Sequence, residues 1–561
     1  MKEVVFYGQD YSPIDKSYYL DGTKLKKIDS DDNKKELLSR ALDEINRKLD
    51  SSDESSRIVV GQTVLDDNND VDNRKKRKFE ISNMVFENGK NIIKFGPLVG
   101  TVTVPIDKRL VKIIIFSRFD KINEDEPEKT SPYFLASMLL KGKLKFHDRQ
   151  VNFSYDNLFD FYMLWLLKKH FMEAMQKGFF KKYQRFERND DRVRGAIDIS
   201  RHIRLNMGLN NGRIAYSYRE NSVDNPINHL ILTSYDYLKE KYPDMVENNT
   251  DYELEQMLKE LKYAISYPKY SRRSIISLNQ MPIAHPFFTE YEELRKVCLK
   301  IMRDEGVSPF QSESESLDGL LYYVPDLWEE YLQDVFERKC REFNRNLDYY
   351  EYDDNNDNES SLRLSVKAQE KIYIMTDMDN DKNEQNTSYP DFVFSYEEQG
   401  NSFYESEQEK VRFCILDAKY KPDWKYALKG KLLPKLREDY DKCIRDMESV
   451  NGTATGVVFP MKSEDLKDSP VYMHQFSKFN KIRRFYTIPI EIPKIEEDLY
   501  YKWDKKMCDS IDKTMSNIIN SLKYEACLHQ KMKKATEDIM KDYYKVFISC
   551  EDMWVNSTEA Q

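Results

Sequence analysis

The sequence predicts a multi-domain α/β protein. A β-rich N-terminal domain spans residues 1–145, a mainly helical middle domain 146–310, a small α/β core 311–495, and a helical C-terminal tail 496–561. Three observations lead there. The chain has 561 residues, 40% of them hydrophobic, enough for roughly three or four domains with real cores. The period of its apolar residues changes along the chain, from strand-like runs to helical spacing to an alternation of both. From Lys494 onward there is neither Gly nor Pro, which suits uninterrupted helix.

The N-terminal strands are the Val-, Ile- and Thr-rich runs Asn91–Lys94, Val99–Val104 and Leu110–Phe116, punctuated by Gly96-Pro97 and Pro105–Lys108. Asp50–Ser56 and Asp66–Lys78 read as polar surface loops. The basic run at 74–78 is either a phosphate contact or a solvated stretch. In the middle domain, Leu158–Met175 reads as a helix. A second helix starts at Asp224-Asn225-Pro226, where either polar residue can cap and Pro226 suits the first helical position.

In the third segment a helix from Asp326 to about Phe343 comes first, then acidic loops at 348–360 and 377–388. Strands follow at Asp391–Ser395 and Val411–Lys419, a helix from about Leu436 to Met447, and strands at Thr455–Phe459 and Tyr486–Ile490. In the tail, Leu499, Trp503, Met507, Ile511, Met515, Ile518, Ile519 and Leu522 form an apolar stripe, as in a helical pair or a packing arm.

Composition excludes several classes. The longest near-continuous apolar run, Phe161–Leu167, is too short for a membrane span. The N-terminus lacks the basic-then-apolar pattern of a secretory signal. Seven scattered cysteines without a CxxC predict reduced thiols in a cytoplasm. No P-loop, HExxH or GxSxG occurs. Asp377–Asp381 fails as a calcium loop because Lys382 stands at position six and Ser388 at position twelve. Net charge is −10, yet residues 141–220 hold 17 Lys and Arg against 9 Asp and Glu. Within that zone Arg192, Arg194, Arg201 and Arg204 surround Gly195. They suit contact with a DNA backbone, and pairing with acidic loops of the same chain is the alternative.

The chemistry concentrates at Tyr389-Pro390-Asp391 and, 26 residues after Asp391, Asp417-Ala418-Lys419. Residues i and i+2 of a strand share a face, so Asp417 and Lys419 project together, and a neighbouring strand starting at Asp391 sets a second carboxylate beside them. Two carboxylates and the Ala418 carbonyl form an oxygen-rich site suited to Mg²⁺, with Mn²⁺ as a substitute. Such a set is what metal-dependent phosphodiester hydrolysis needs, with Lys419 orienting or deprotonating water or stabilising the transition state. A hairpin with charged ends is the alternative, but polar residues ending a buried apolar strand are costly without a purpose. Glu329 on the preceding helix could join the site or face solvent. Lys442 and Asp439 share a helix face, where they could position phosphate or Lys419 or simply pair with each other.

Several segments together resemble the McrC-type subunits of modification-dependent restriction systems and the related LlaJI-type subunits, over about residues 90–490. They are Val99–Phe116, Arg194-Gly195-Ala196-Ile197-Asp198, Asp224-Asn225-Pro226-Ile227-Asn228, Leu327-Trp328-Glu329, Pro390-Asp391 and Leu416–Lys421. The 391–419 segment alone is similar to the wider PD-(D/E)xK superfamily. The resemblance implies a C-terminal core of the PD-(D/E)xK restriction-endonuclease type that cleaves foreign double-stranded DNA in phage defence; 5-methylcytosine is the mark associated with such systems, and whether this chain's substrate must carry a mark stays open. It implies that Asp391, Asp417 and Lys419 are catalytic and Glu329 auxiliary. It also implies that the N-terminal part docks on a separate McrB-like AAA+ GTPase, so that this chain itself binds no nucleotide. Lys442 departs from the glutamine that many members carry there, and the tail after about 495 lies outside the resemblance. A non-catalytic DNA-binding adaptor and a stand-alone repair nuclease are the competing readings.

Overall fold

The computed structural model describes residues 2–50, 57–61, 80–140, 155–303, 318–350, 362–375, 386–397, 410–495 and 500–558, apart from short segments inside those ranges. The basic run at 74–78 and most of both acidic loops lie outside the described residues. Two compact units result: Met1–Met138 with Glu315–Gln561, and Leu139–Ser314. Among the described residues no helix is long and apolar enough to cross a membrane.

Among the described residues the first unit holds two large sheets and two two-stranded ones, Ser82–Glu87 with Lys90–Phe95 and Ile372–Met375 with Asn386–Ser388. Its N-terminal sheet has seven strands, in the order Lys24–Lys27, Tyr18–Asp21, Lys2–Gln9, Arg109–Phe116, Leu98–Ile106, Asp318–Tyr323 and Arg57–Gly61. Alternate residues of the central strands, such as Val102, Val104, Val111, Ile113 and Ile115, pack with Leu38, Leu42 and Ile45 of the helix Asp32–Asp50. This corrects the boundary expected at 311. Asp318–Tyr323 lies between two N-terminal strands, antiparallel to Leu98–Ile106 and parallel to Arg57–Gly61. A strand whose two edges are both paired satisfies its backbone far along the chain from its partners, which no local pattern reveals.

The second sheet has six strands, in the order Arg363–Ala368, Phe392–Glu397, Lys410–Ala418, Ala454–Lys462, Lys481–Ile492 and Tyr472–Lys478. Lys410–Ala418, Ala454–Lys462 and Lys481–Ile492 run parallel; the flanking strands are antiparallel. The helix Pro434–Ser449 supplies the crossover that parallel pairing requires. Gly456 permits close pairing, because a Cβ there would sit 2.3 Å from the Tyr486 carbonyl oxygen. The small α/β core is therefore present, widened by Arg363–Ala368, for which the sequence offered no assignment.

The tail is one helix, Tyr500–Thr558, and not a helical pair. Trp503, Met507, Ile511, Met515, Ile518 and Leu522 are buried, as the apolar stripe predicts. Farther along, Glu525 takes two hydrogen bonds of 2.9 Å from Arg484 and one of 2.8 Å from the Tyr486 hydroxyl. The tail helix is thus built into the core sheet.

The second unit holds mainly helices and a three-stranded antiparallel sheet of Ala196–Ile197, Ile214–Ser222 and Lys182–Asp190. Its helix Pro226–Lys241 is capped by Asn225, whose side chain accepts from the Asn228 N–H. Asp224 instead accepts a hydrogen bond from His229.

Candidate active site

Phe392 pairs with Leu416 in antiparallel register. One step further along both strands, Asp391 therefore faces Asp417. The Asp391 carboxylate accepts the Ala418 N–H at 2.6 Å, which fixes the two strand ends together. Both aspartates are buried, at 7% and 2% exposure. Asp417 and Lys419 do project to one side: the Lys419 ammonium contacts Asp417 Oδ2. The Lys419 N–H, meanwhile, donates to the Val458 carbonyl at 2.8 Å and continues the parallel ladder.

Lys442 reaches the same carboxylate, with Nζ 2.9 Å from Asp417 Oδ1. Its expected alternative, a pair with Asp439, does not form; Asp439 accepts from Lys421 at 2.7 and 2.9 Å. Glu329 lies at the margin, where its carboxylate accepts from the Gln369 side chain. Gln369 also donates its backbone N–H to the Asp391 carbonyl at 3.2 Å, so it links Glu329 to the aspartate.

The charges sort themselves by environment. Burial, and then the Asp417 and Glu329 carboxylates, push Asp391 well above the usual carboxylate range. Burial pushes Asp417 up too, but the Lys419 and Lys442 ammoniums outweigh it and hold Asp417 below its ordinary value. For Lys419, burial pulls down while Asp417 and Asp391 pull up, and the carboxylates win. Lys442 is raised by the same balance. The carboxylates thus favour the ammonium form of Lys419.

Among the described residues no group of three or more His, Cys, Asp or Glu stands as a ready metal cage. The oxygen donors present are the two aspartates and the Ala418 carbonyl, which is 3.4 Å from Lys419 Nζ. A buried Asp391 crowded by two other carboxylates is the environment that a hard divalent cation would relieve, so this donor set fits Mg²⁺ or Mn²⁺.

A family model described as the McrBC 5-methylcytosine restriction system component matches residues 93–433. The chain belongs to this family. The match to the McrBC component takes in Glu329, Asp391, Asp417 and Lys419 and stops just before the helix that carries Lys442. Two solved structures are similar to this McrBC-family chain at 16% sequence identity. One is an assembly of Thermococcus gammatolerans McrB AAA+ hexamers with bound McrC, matched over 92% of this chain and 100% of that chain with a TM-score of 0.41. The other is the cryo-EM structure of the Thermococcus gammatolerans McrBC complex, matched over 60% of this chain and 87% of that chain with a TM-score of 0.24. No curated protein matches the chain.

Around this McrBC-family site stand three residues that sequence reasoning missed. Gln369 is one, in a left-handed backbone conformation at φ 49°. Asp446, buried on the crossover helix, accepts from Ser388 at 3.0 Å and so anchors the turn leading to Asp391. Arg118 donates to the Tyr420 carbonyl at 2.7 Å and lies 4.0 Å from the centre of the Tyr420 ring. Asp10 in turn holds Arg118 at 3.3 Å. Only Asp446 carried a sequence signal, as an acid on the buried face of an amphipathic helix.

The arginine patch lies in the other unit. Arg192, Arg194 and Arg204 are exposed. Arg201 is engaged within the fold, 3.1 Å from Glu187 and donating to the Arg188 carbonyl at 3.0 Å. Gly195 serves internal packing and not an approaching ligand: a Cβ there would lie 2.4 Å from the Ser217 carbonyl oxygen.

Proposed function

We propose that this restriction-system component is its DNA-cleaving subunit, a Mg²⁺-dependent endonuclease that hydrolyses phosphodiester bonds of foreign DNA when a separate AAA+ GTPase engages it. The observation that carries this reading is the convergence of Asp391, Asp417 and Lys419 at one end of a central strand. Family membership supports the restriction context. A chain without a P-loop needs a motor from elsewhere.

Asp391, Asp417 and the Ala418 carbonyl would hold the ion, which when bound lowers the pKa of a water and offsets charge on the scissile phosphate. Lys419, kept protonated, presents its ammonium to a phosphate oxygen. Glu329 and Gln369 steady the Asp391 side of the site. Lys442 shares the neutralisation of Asp417 and so keeps Lys419 from being its sole counterion.

The test is plasmid cleavage by the purified chain, with and without a ring-forming AAA+ GTPase and GTP, on methylated and unmethylated DNA. Cleavage is expected with Mg²⁺ or Mn²⁺ and is expected to vanish on chelation. Stimulation of the partner's GTPase with no cleavage under any condition would favour the adaptor reading instead.

The exposed arginines would track the DNA backbone. Replacing Arg192, Arg194 and Arg204 together by alanine should weaken DNA binding for all sequences alike. It should also flatten the salt dependence by up to about three in log–log slope. An unchanged slope would remove them from the interface.

A further inference from the structure

The strand that carries Asp417 ends at Ala418, so Lys419 stands at its margin. Two hydrogen bonds fix the backbone on either side of the Lys419 side chain. Its own N–H donates to the Val458 carbonyl at 2.8 Å. The next residue's carbonyl, that of Tyr420, accepts from the Arg118 guanidinium at 2.7 Å. A lysine stem is flexible, so where its backbone is held decides where its ammonium can reach.

Arg118 is itself held in place. Asp10 is buried; one of its oxygens accepts the Arg118 N–H, and the other lies 3.3 Å from the guanidinium. A planar guanidinium can serve this carboxylate and the Tyr420 carbonyl at once, in fixed directions. Tyr11, next to Asp10, has φ 57°. A bulky residue keeps this left-handed conformation only where its surroundings impose it. Its ring centre lies 5.1 Å from the Arg118 guanidinium. The Tyr420 hydroxyl lies 3.3 Å from that of Ser117, so one short segment holds Tyr420 by both its ring and its backbone.

The N-terminal part also reaches the other margin of the site. Phe134, on the helix Tyr133–Leu140, has its ring 6.2 Å from that of Tyr420 and 6.2 Å from that of Trp328. Trp328 directly precedes Glu329. Its indole N–H donates at 3.4 Å to the Val458 carbonyl, the same acceptor that takes the Lys419 N–H. The neighbours of Lys419 and of Glu329 thus rest on one N-terminal ring.

We propose that Arg118 is a positioning residue of the nuclease site, which sets the place of the Lys419 ammonium through the Tyr420 carbonyl. This role rests on the nuclease reading of Asp391, Asp417 and Lys419. Lys442 provides the contrast: it reaches the same Asp417 carboxylate from the helix Pro434–Ser449, without Tyr420. A displacement of about 1 Å at a reacting centre can cost ~10²-fold in rate.

Two measurements on the full chain test this. Asp10→Asn is combined with Arg118→Met, so that neither buried charge is left without its partner. In chelator, acetic anhydride labels lysine amines, and peptide mass spectrometry reads each position. Lys419 should be labelled severalfold faster in the double variant than in the unaltered chain, and Lys442 no faster. In single-turnover plasmid cleavage with the AAA+ GTPase, GTP and Mg²⁺, the rate at saturating DNA should fall about tenfold or more, with the half-saturating DNA concentration unchanged. Arg118→Lys keeps the charge beside Asp10 and one donor group, and should fall between the two in both measurements. Parental labelling of Lys419, a parental cleavage rate, or equal gains in labelling at Lys419 and Lys442 would each overturn the positioning role while leaving the nuclease reading intact. Absence of cleavage by the unaltered chain under every condition would overturn the nuclease reading and the positioning role with it.

Discussion

Lys419→Ala is expected to reduce Mg²⁺-dependent DNA cleavage by about 10³-fold or more, the scale on which a preorganised charge at a reacting phosphate acts. Asp417→Asn should match it, but the two differ in stability. Lys419→Ala leaves Asp417 neutralised by Lys442 at 2.9 Å, so the fold should persist. Asp417→Asn instead strands two ammoniums beside a neutral group 2% exposed in the parent. Breaking a buried ion pair from one side costs about 3–5 kcal/mol, so this variant should unfold at markedly lower denaturant. Adding Lys442→Met to Asp417→Asn should recover part of that stability and none of the cleavage. Cleavage at the parental rate by Lys419→Ala, measured per folded molecule, would defeat the assignment of the site.

Glu525→Ala should be among the most destabilising single changes in the tail helix. The carboxylate is fully buried and takes hydrogen bonds from Arg484 and Tyr486. Its loss leaves a nearly buried guanidinium without a counterion, at a cost of about 3–5 kcal/mol. Equilibrium urea unfolding should show this as a lower midpoint. The doubly altered Glu525→Ala, Arg484→Met chain should unfold later than Glu525→Ala alone, because both charges are gone together. Equal midpoints for the parent and Glu525→Ala would mean that the tail helix is not packed on the sheet as described.

Much of the candidate site's arrangement was legible in the sequence because it is local. A strand alternates faces, so Asp417 and Lys419 had to share one. An apolar run from Val411 to Leu416 had to be buried, so its terminal charges needed a reason. The strands Val99–Val104 and Leu110–Phe116, the Asn225 cap and the tail's apolar stripe were legible on the same grounds. What stayed hidden depends on distant pairing. Asp318–Tyr323 belongs to strands more than two hundred residues earlier. Lys442 was read against Asp439, its neighbour on the helix, whereas its carboxylate comes from the strand before. Arg201 looked like Arg192 and Arg194 until the fold supplied Glu187. Gln369 and Arg118 have no signature at all, since each matters only through the backbone it holds.

Arg118 follows directly on the N-terminal sheet, and the carbonyl it grips belongs to the residue after Lys419. Its planar fork is stiff, Asp10 braces it from behind, and three aromatic rings, those of Tyr11, Phe119 and Tyr420, surround it. In mechanical terms this is a coupling without slack. A twist imposed on the N-terminal sheet arrives as torque on the peptide joining residues 420 and 421, the next but one along the chain from Lys419.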